Sequence, residues 1–512
     1  MKLYNNKRNL LLGGLSLLLV GTSCNKISDF GNTNVNPNGS SYVSTATFLS
    51  SVEVRLGNSN FSTTTGGSSP GGELLAGLMA QYFAEPTYPQ AQVYSTASLQ
   101  VASTGIYSGI LMDLQTIINK NTNAATVADA ANYGSNQSQI AIARILKALV
   151  YREITDKWGD MPYSQALQGT ANLTPKYDTQ ESIYRDLLKE LTEAIAQFKG
   201  LNDVKGDLVY NGDEAKWKKL ANSLRMLIAL RMSKRYPAKT DYAAIEFNKA
   251  VTDAAGYIST NADNLTVFYP GNANPYNNPW FSTANSNDNA VSQTLTDLMN
   301  GLSDTRSGAF YTGTTGVPYG LSSAVTTPPS SWARILSATF KQAAGNYVKI
   351  SASSVLLAKA EGLVLGWADS TALGTPQTAY DAGVTASFAQ WGITMPSSYL
   401  TTGAANYVSG AGVGSIGGAT VTGTNALTPT RLSRIQLQQY LAFYPIGYEA
   451  WSNWRRTGIP DLKPTVQKVA GAGIPRRYTY GTQEYSLNLE QLNIAIGRLG
   501  GDTQDKKVWW DL

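Results

Sequence analysis

The chain has 512 residues, 43% hydrophobic and 10% aromatic; this exceeds the roughly 250–300 residues of a single core and predicts two lobes or an extended multi-helix body. It contains no histidine and one cysteine, which excludes Ser-His-Asp and Cys-His catalysis, His-ligated zinc, thiolate metal sites and internal disulfides. The formal charge of +5 falls near +2 once residues 1–23 are set aside, because they carry Lys2, Lys7 and Arg8 and no acid; no electrostatic footprint for nucleic acid remains.

The leader comes first. A basic head is followed by an apolar stretch over residues 10–20 (LLLGGLSLLLV) and then by Gly21-Thr22-Ser23-Cys24. That pattern predicts a secretory signal peptide over 1–23, too short for a span that needs about 20 apolar residues. Two readings fit a cysteine after small residues. One is a bacterial lipobox with Cys24 lipid-modified, although Gly21 stands where a large aliphatic residue is usual. The other is an ordinary secretory cut that leaves a thiol. A lone cysteine at the end of a signal favours lipidation. Residues 24–44, with Asn32-Thr33-Asn34-Val35-Asn36-Pro37-Asn38 at their centre, read as a flexible tether. The remainder, 45–512, is expected to form one domain.

Helices are expected over 45–56, 73–84 and 106–120. From Ser138 on, Ile142, Ile145, Leu146 and Leu149 fall at i, i+3, i+4 and i+7, which predicts an apolar helix face. Gly159 and Pro162 stop it. Asp178 with Glu181 three residues on resembles a capping box for the next helix, whose stripe runs through Tyr184, Leu187, Leu188, Leu191, Ile195 and Phe198. Four antiparallel pairs follow: 138–158 with 180–198, 215–235 with 241–254, 353–367 with 376–391, and 431–444 with 446–456. Stacked pairs suggest a solenoid-like spine. Between them, 257–340 is an irregular insertion with one helix over 290–302, and 401–428 is a Gly/Thr/Ala-rich surface excursion. Segments of that length are functional or disordered.

With the pairs in place, the chain resembles the SusD/RagB (SusD-like) family of surface lipoproteins. The residues that carry the likeness are Asn34-Val35-Asn36-Pro37-Asn38, the run Ala143-Arg144-Ile145-Leu146-Lys147-Ala148, and the run from Asp156 to Tyr163. To these add Trp217 with Ala221-Asn222-Ser223-Leu224-Arg225, Ala358-Lys359-Ala360-Glu361-Gly362 through Trp367, and Tyr380-Asp381-Ala382-Gly383-Val384. The most specific block is Glu449-Ala450-Trp451 with Arg455 through Leu462. Ile474-Pro475-Arg476-Arg477, Glu484-Tyr485-Ser486-Leu487-Asn488 and Trp509-Trp510-Asp511 complete the order. The resemblance implies a mainly α fold, with four tetratricopeptide-like helix pairs forming a superhelical scaffold and long irregular loops building a ligand-binding half. It implies a non-catalytic binding lipoprotein of the outer membrane, lipid-anchored and facing the outside. Such a protein captures oligosaccharide or peptide and passes it to a SusC-like TonB-dependent transporter. No cofactor, metal or nucleic acid is implied. Lys359 and Gly362 depart from the family's Ala/Glu-rich run, which bears on packing.

Arg455, Arg456, Glu449 and Asp461 read as ion pairs at a helix end, and Trp158, Trp217, Trp367 and Trp391 as core. Asp304-Thr305-Arg306 reads as a local lock. Ligand contacts are expected instead in the loops, where aromatic rings that stack on sugar C–H faces mix with amides that bond hydroxyls. The candidates are Tyr82, Tyr88, Tyr94, Tyr269, Tyr276, Asn278, Trp280, Tyr311 and Trp332. The alternative is a lipid-anchored glycoside hydrolase with paired carboxylates about 5–10 Å apart. Glu85, Asp263 and Asp288 are the few acids near these loops. No Asp-rich loop of calcium-binding spacing occurs.

Overall fold

Helix ends in this chain follow the local chemistry of the sequence. In the computed structural model, which describes residues 43–58, 71–272, 276–321, 323–325, 327–403, 405–409, 430–471 and 473–512, the expected spine helices are all present. The signal, the lipidation candidate Cys24, nearly all of the tether and most of the 401–428 excursion lie outside the described residues.

In chain order the principal helices are α1 (Thr45–Val54), α2 (Gly71–Met79), α3 (Met112–Thr122), α4 (Asn136–Trp158), α5 (Gln180–Gln197), α6 (Glu214–Arg231) and α7 (Tyr242–Val251). They continue with α8 (Gln293–Gly301), α9 (Ala352–Val364), α10 (Pro376–Gln390), α11 (Arg431–Ala442), α12 (Gly447–Thr457) and α13 (Leu489–Leu499). α4 ends at Gly159, whose φ of 94° an L side chain rarely adopts. α5 is capped by Thr179, whose hydroxyl accepts the Ser182 N–H, and not by Asp178. Asp178 lies on a short strand, and its carboxylate accepts from the Ser164 backbone N–H at 2.7 Å and from the Ser164 hydroxyl.

The first three pairs pack as expected: α4 on α5, α6 on α7, α9 on α10. The fourth differs. α11 lies chiefly on α9, and α12 on α2, so these two helices make the spine's closing contacts with other elements more than with each other. The close approach of α12 to α2 needs Gly447, where a Cβ would stand 2.1 Å from the Glu73 carbonyl oxygen. Gly362 likewise leaves room for the Phe247 ring, which a Cβ would meet at 2.3 Å. The described residues between 45 and 512 form one compact unit.

α4 is buried on nearly every side, charged residues included. Buried charge is tolerable only when paired. Arg152 grips Glu449 through two bonds of 2.7 and 2.8 Å, and Glu449 also takes Arg231 at 3.1 Å. Lys349 reaches Glu73 at 2.6 Å and Glu153 at 2.8 Å, while Lys157 reaches Glu153 at 2.6 Å. Arg456 forks onto Glu361 at 2.7 and 2.8 Å. Glu449 and Arg456 are thus paired in the core as expected, but Asp461 pairs only with its neighbour Lys463 among the described residues. Arg455 is held by the Asp156 and Arg476 carbonyls and stacks on Trp451 with its guanidinium carbon 3.8 Å from the ring centroid. Burial pushes its guanidinium down to about 10. Asp304 and Arg306 do form a fully buried lock, which Ser387, Tyr399 and Gln438 complete.

The 257–340 insertion is less irregular than its composition predicts. Strand β1 (Phe83–Ala84) pairs antiparallel with β3 (Ala290–Val291), and β2 (Leu265–Tyr269) with β4 (Gly345–Ile350). Leu265, Val267 and Tyr269 alternate inward and Thr266 and Phe268 outward, as period two requires.

Candidate functional site

A cleft of about 430 Å³ lies between the insertion and the spine. That volume falls in the usual range for small-molecule sites, about 300–1,000 Å³. The insertion supplies Asn278, Trp280 and Phe340, and β4 supplies Asn346; the spine supplies Gln390 and Trp391 at the end of α10, with Pro445 and Ile446 just before α12.

The wall is built by backbone and amide bonds. The Asn278 N–H donates to the Ala343 carbonyl at 2.7 Å, its Oδ1 accepts the Trp280 N–H at 3.0 Å, and its Nδ2 donates to the Asn346 carbonyl at 3.2 Å. Asn264, also in the lining, accepts the N-terminal N–H of α9 from Ala352 at 2.7 Å. An aromatic chain ties the two tryptophans into the core. Phe83 lies 5.3 Å from Trp280 and 5.8 Å from Tyr444, ring centroid to centroid. Tyr444 stacks on Phe310 at 4.3 Å, Phe310 meets Trp391 at 5.1 Å, and Trp391 meets Phe340 at 4.8 Å. Such ring contacts contribute about 0.5–1.5 kcal/mol each beyond area burial.

Four polar atoms of the lining residues are buried with no hydrogen-bond partner among the described residues: Trp280 Nε1, Trp391 Nε1, the Tyr347 hydroxyl and Gln390 Oε1. Elsewhere the buried indoles are satisfied. Trp158 donates to the Val101 and Thr479 carbonyls, Trp217 to Asp207, Trp367 to the Pro237 carbonyl and Trp451 to the Pro475 carbonyl. Burial holds the Tyr347 phenol well above its usual range, so it is neutral.

The sequence candidates separate into three groups. Asn278 and Trp280 line the cleft, and Tyr276, two residues before Asn278 and 48% exposed, lies in a turn that the Gly271 N–H closes on the Tyr276 carbonyl. Tyr311 is half-buried on a short strand paired with Arg334–Ile335, beside the lining residue Leu336. Tyr88 and Trp332 belong to a neighbouring surface. Trp332 packs on the small cluster of Ala84, Ala290 and Val317, and the Val325 N–H donates to the Pro86 carbonyl at 2.8 Å. Tyr82, Tyr94 and Tyr269 are instead core. Each is at most 1% exposed, the Tyr82 hydroxyl donates to the Tyr440 carbonyl, and the Tyr269 hydroxyl donates to the Val54 carbonyl at 2.6 Å. Their rings fill the space beneath the loops, where no ligand reaches.

Trp391, Phe340, Tyr347 and Gln390 were not among the sequence candidates. Trp391 is buried, as its stripe predicts, but as a wall of the cleft. The only signal was its place at the last turn of a helix, next to a polar glutamine.

Among the described residues, no Asp, Glu, Lys or Arg lines the cleft. Asp263 is held by Lys219 at 3.0 Å and Asp288 by the Ser286 hydroxyl at 2.8 Å. No cluster of three or more metal-ligating side chains occurs among the described residues. No helix among them is long and apolar enough to cross a membrane.

Residues 37–481 match the SusD-like family model described as starch-binding and associating with the outer membrane. No curated protein matches the chain. Among solved structures, a SusD homolog from Bacteroides uniformis is 27% identical, with a TM-score of 0.71 over 91% of this chain and 99% of that one. A chitin-binding protein is 24% identical, with a TM-score of 0.73 over 91% of this chain and all of that one. A chitin-binding SusD homolog from Flavobacterium johnsoniae is 23% identical, with a TM-score of 0.70 over 91% and 98%. The mainly helical fold with its tetratricopeptide-like pairs is therefore shared across the group, and the chain belongs to the SusD-like family.

Proposed function

We propose that this protein is a non-catalytic surface lipoprotein that captures oligosaccharide in the cleft lined by Trp280 and Trp391. The observation that carries the reading is the acid-free aromatic lining itself. Indole and phenyl faces stack on sugar C–H faces, and the exposed or half-exposed polar side chains of the lining, Thr339, Asn346 and Gln390, bond hydroxyls. Family membership and the chitin-binding descriptions of two structural neighbours support a glycan ligand.

The hydrolase alternative needs two carboxyl groups about 5–9.5 Å apart across the bond to be cut. Among its described lining residues the cleft offers none. Cys24 carries the anchor, two or more acyl chains give stable membrane attachment, and residues 24–44 let the domain 45–512 reach a SusC-like TonB-dependent transporter that receives the ligand.

The test is a binding screen of the chain from Asn25 against neutral glycans and peptides. Saturable binding without product release is expected. Turnover by the purified protein, abolished by changing one acid, overturns the reading. Radiolabelled fatty acid incorporation lost in Cys24→Ala checks the anchor, and co-purification with the transporter from outer membranes checks the delivery step.

A further inference from the structure

We infer that an open cavity framed by α3, α4 and α5 is a second saccharide site, in which Lys147 and Asp186 take a pair of neighbouring sugar hydroxyls. It takes its ligand class from the glycan reading above but not its place, because the cavity shares no lining residue with the cleft.

The cavity measures about 550 Å³, within the usual range for ligand sites. Arg144 forks onto Glu190 at 2.8 and 3.0 Å, which clamps α4 to α5. One turn further along α4, Lys147 makes no such pair. Its Nζ donates to Gln115 Oε1 on α3 at 2.8 Å, and Gln115 is braced in turn by donating to Asn119 Oδ1 at 2.9 Å. Asp186, one turn before Glu190, accepts the Tyr163 hydroxyl on Oδ2 at 2.7 Å and leaves Oδ1 without a partner among the described residues. An ammonium and a carboxylate thus line one cavity, each held by a neutral group, and neither belongs to an ion pair among the described residues. Both side chains are half-buried and open to the solvent of the cavity. Burial pushes the Lys147 ammonium below the usual lysine range, and Glu190 offsets that only in part, so the charged form gains from any further acceptor.

The wall is preformed. The Tyr163 ring meets Tyr151 edge-on at 4.7 Å, the Tyr107 hydroxyl donates to the Pro162 carbonyl at 2.7 Å, and Ser164 is held by Asp178. What stays free specifies the ligand. Lys147 has N–H groups to give, and Asp186 Oδ1 has lone pairs to fill. A hydroxyl both donates and accepts, so two on adjacent carbons serve the pair at once through charge-assisted bonds. A carboxylate would satisfy Lys147 and meet Asp186 and Glu190; an ammonium would satisfy Asp186 and meet Lys147. A free amino acid answers both charges but leaves the exposed amides of Asn119 and Gln168 unused. A ligand with hydroxyls along its length reaches them.

Titration calorimetry on the chain from Asn25 takes neutral pentasaccharides as probes (α- and β-linked glucose, mannose, xylose and N-acetylglucosamine), with glycine and dialanine as zwitterionic controls. Two molecules of a binding pentasaccharide per chain are expected. Asp186→Asn keeps an acceptor for Tyr163 and turns the free acceptor into a donor, while Lys147→Met keeps the stem and removes the charge. Each variant, verified by its unfolding curve, is expected to weaken one site at least about tenfold and to leave the other unchanged; Trp391→Phe is expected to do the converse. Oligosaccharide binding that Asp186→Asn and Lys147→Met both leave unchanged overturns the inference and leaves capture in the cleft standing. A single site that these two weaken and Trp391→Phe does not upholds the inference and overturns the cleft. Binding of glycine or dialanine, but of no oligosaccharide, overturns the inference in favour of a zwitterion. No binding by any probe overturns it together with the glycan reading.

Discussion

Asn278 fixes Trp280: its Oδ1 accepts the Trp280 backbone N–H at 3.0 Å while its Nδ2 donates to the carbonyl of Asn346, 68 residues away, at 3.2 Å. One carboxamide thus joins the helix that carries the indole to the strand facing it. Asn278→Ala is expected to lower stability by about 1 kcal/mol and to weaken oligosaccharide binding without removing a ligand contact. Asn278→Asp restores the acceptor but not the donor, so it is expected to fall short of wild type. Thermal unfolding and calorimetry on the three proteins give the comparison.

The tryptophans can be sorted by what their N–H groups do. Trp391→Phe removes a donor with no partner among the described residues but also trims a ring packed on Phe310, Phe340 and Tyr444, so it is expected to cost about 1 kcal/mol of stability while ligand affinity falls by up to about tenfold. Trp158→Phe strips a donor from two carbonyls at 3.2 Å, and is expected to cost about 1–2 kcal/mol of stability with binding retained. The reverse pattern would make Trp391 a packing residue only.

Acid should loosen the spine through its buried carboxylates. Burial pushes Glu361 up, but the Arg456 guanidinium and hydrogen bonds from Arg456, Gln436 and Gln439 pull it down further, leaving it below the usual carboxylate range. Glu153 is held low in the same sense: burial raises it, and Lys157 and Lys349 outweigh that. Their stabilisation is complete above the unfolded value of about 4.3 and is lost as pH falls through the lower folded values. Denaturant midpoints are therefore expected to decline below about pH 4.3. Arg456→Met, which strands Glu361 in the core, is expected to cost about 3–5 kcal/mol at neutral pH.

Glu85 works with the opposite sign. Burial pushes its carboxyl up to about 7, so the folded state holds a proton that the unfolded chain releases near 4.3. Its favourable balance is present below about 4.3 and declines as pH rises through about 7. Glu85→Gln is expected to raise the unfolding temperature at pH ~8 and to leave it unchanged at pH ~4. Melting curves at the two pH values decide it.

The spine was legible because its apolar residues repeat at helical spacing; Ile142, Ile145, Leu146 and Leu149 needed no tertiary knowledge to read. The partners of α11 and α12 were not, because sequence adjacency argues for a hairpin and only packing reveals α9 and α2. The β2–β4 pairing was hidden because its strands are some 80 residues apart and each is short. In the cleft, Trp280 and Asn278 were visible as an aromatic beside amides in a loop. Trp391 was not, since an indole on a helical stripe looks the same whether its N–H meets a carbonyl, as in Trp158, or nothing. Tyr82 and Tyr269 misled for the mirror reason: a loop-like neighbourhood in sequence says nothing about which side of the loop a ring faces.

The cleft has one wall on the insertion and one on the spine, and the two are under different obligations. Gln390, Trp391 and Pro445 sit where α10 and α12 must stay for the helix stack to close, so their positions are inherited with the scaffold. Asn278, Trp280 and Phe340 sit on the 257–340 insertion, outside the helix pairs, whereas Asn346 lies on β4, which Lys349 ties to Glu73 and Glu153 in the core. A new diet therefore requires redrafting only half of the mouth, and the other half remains as a fixed backstop against which each new half is fitted.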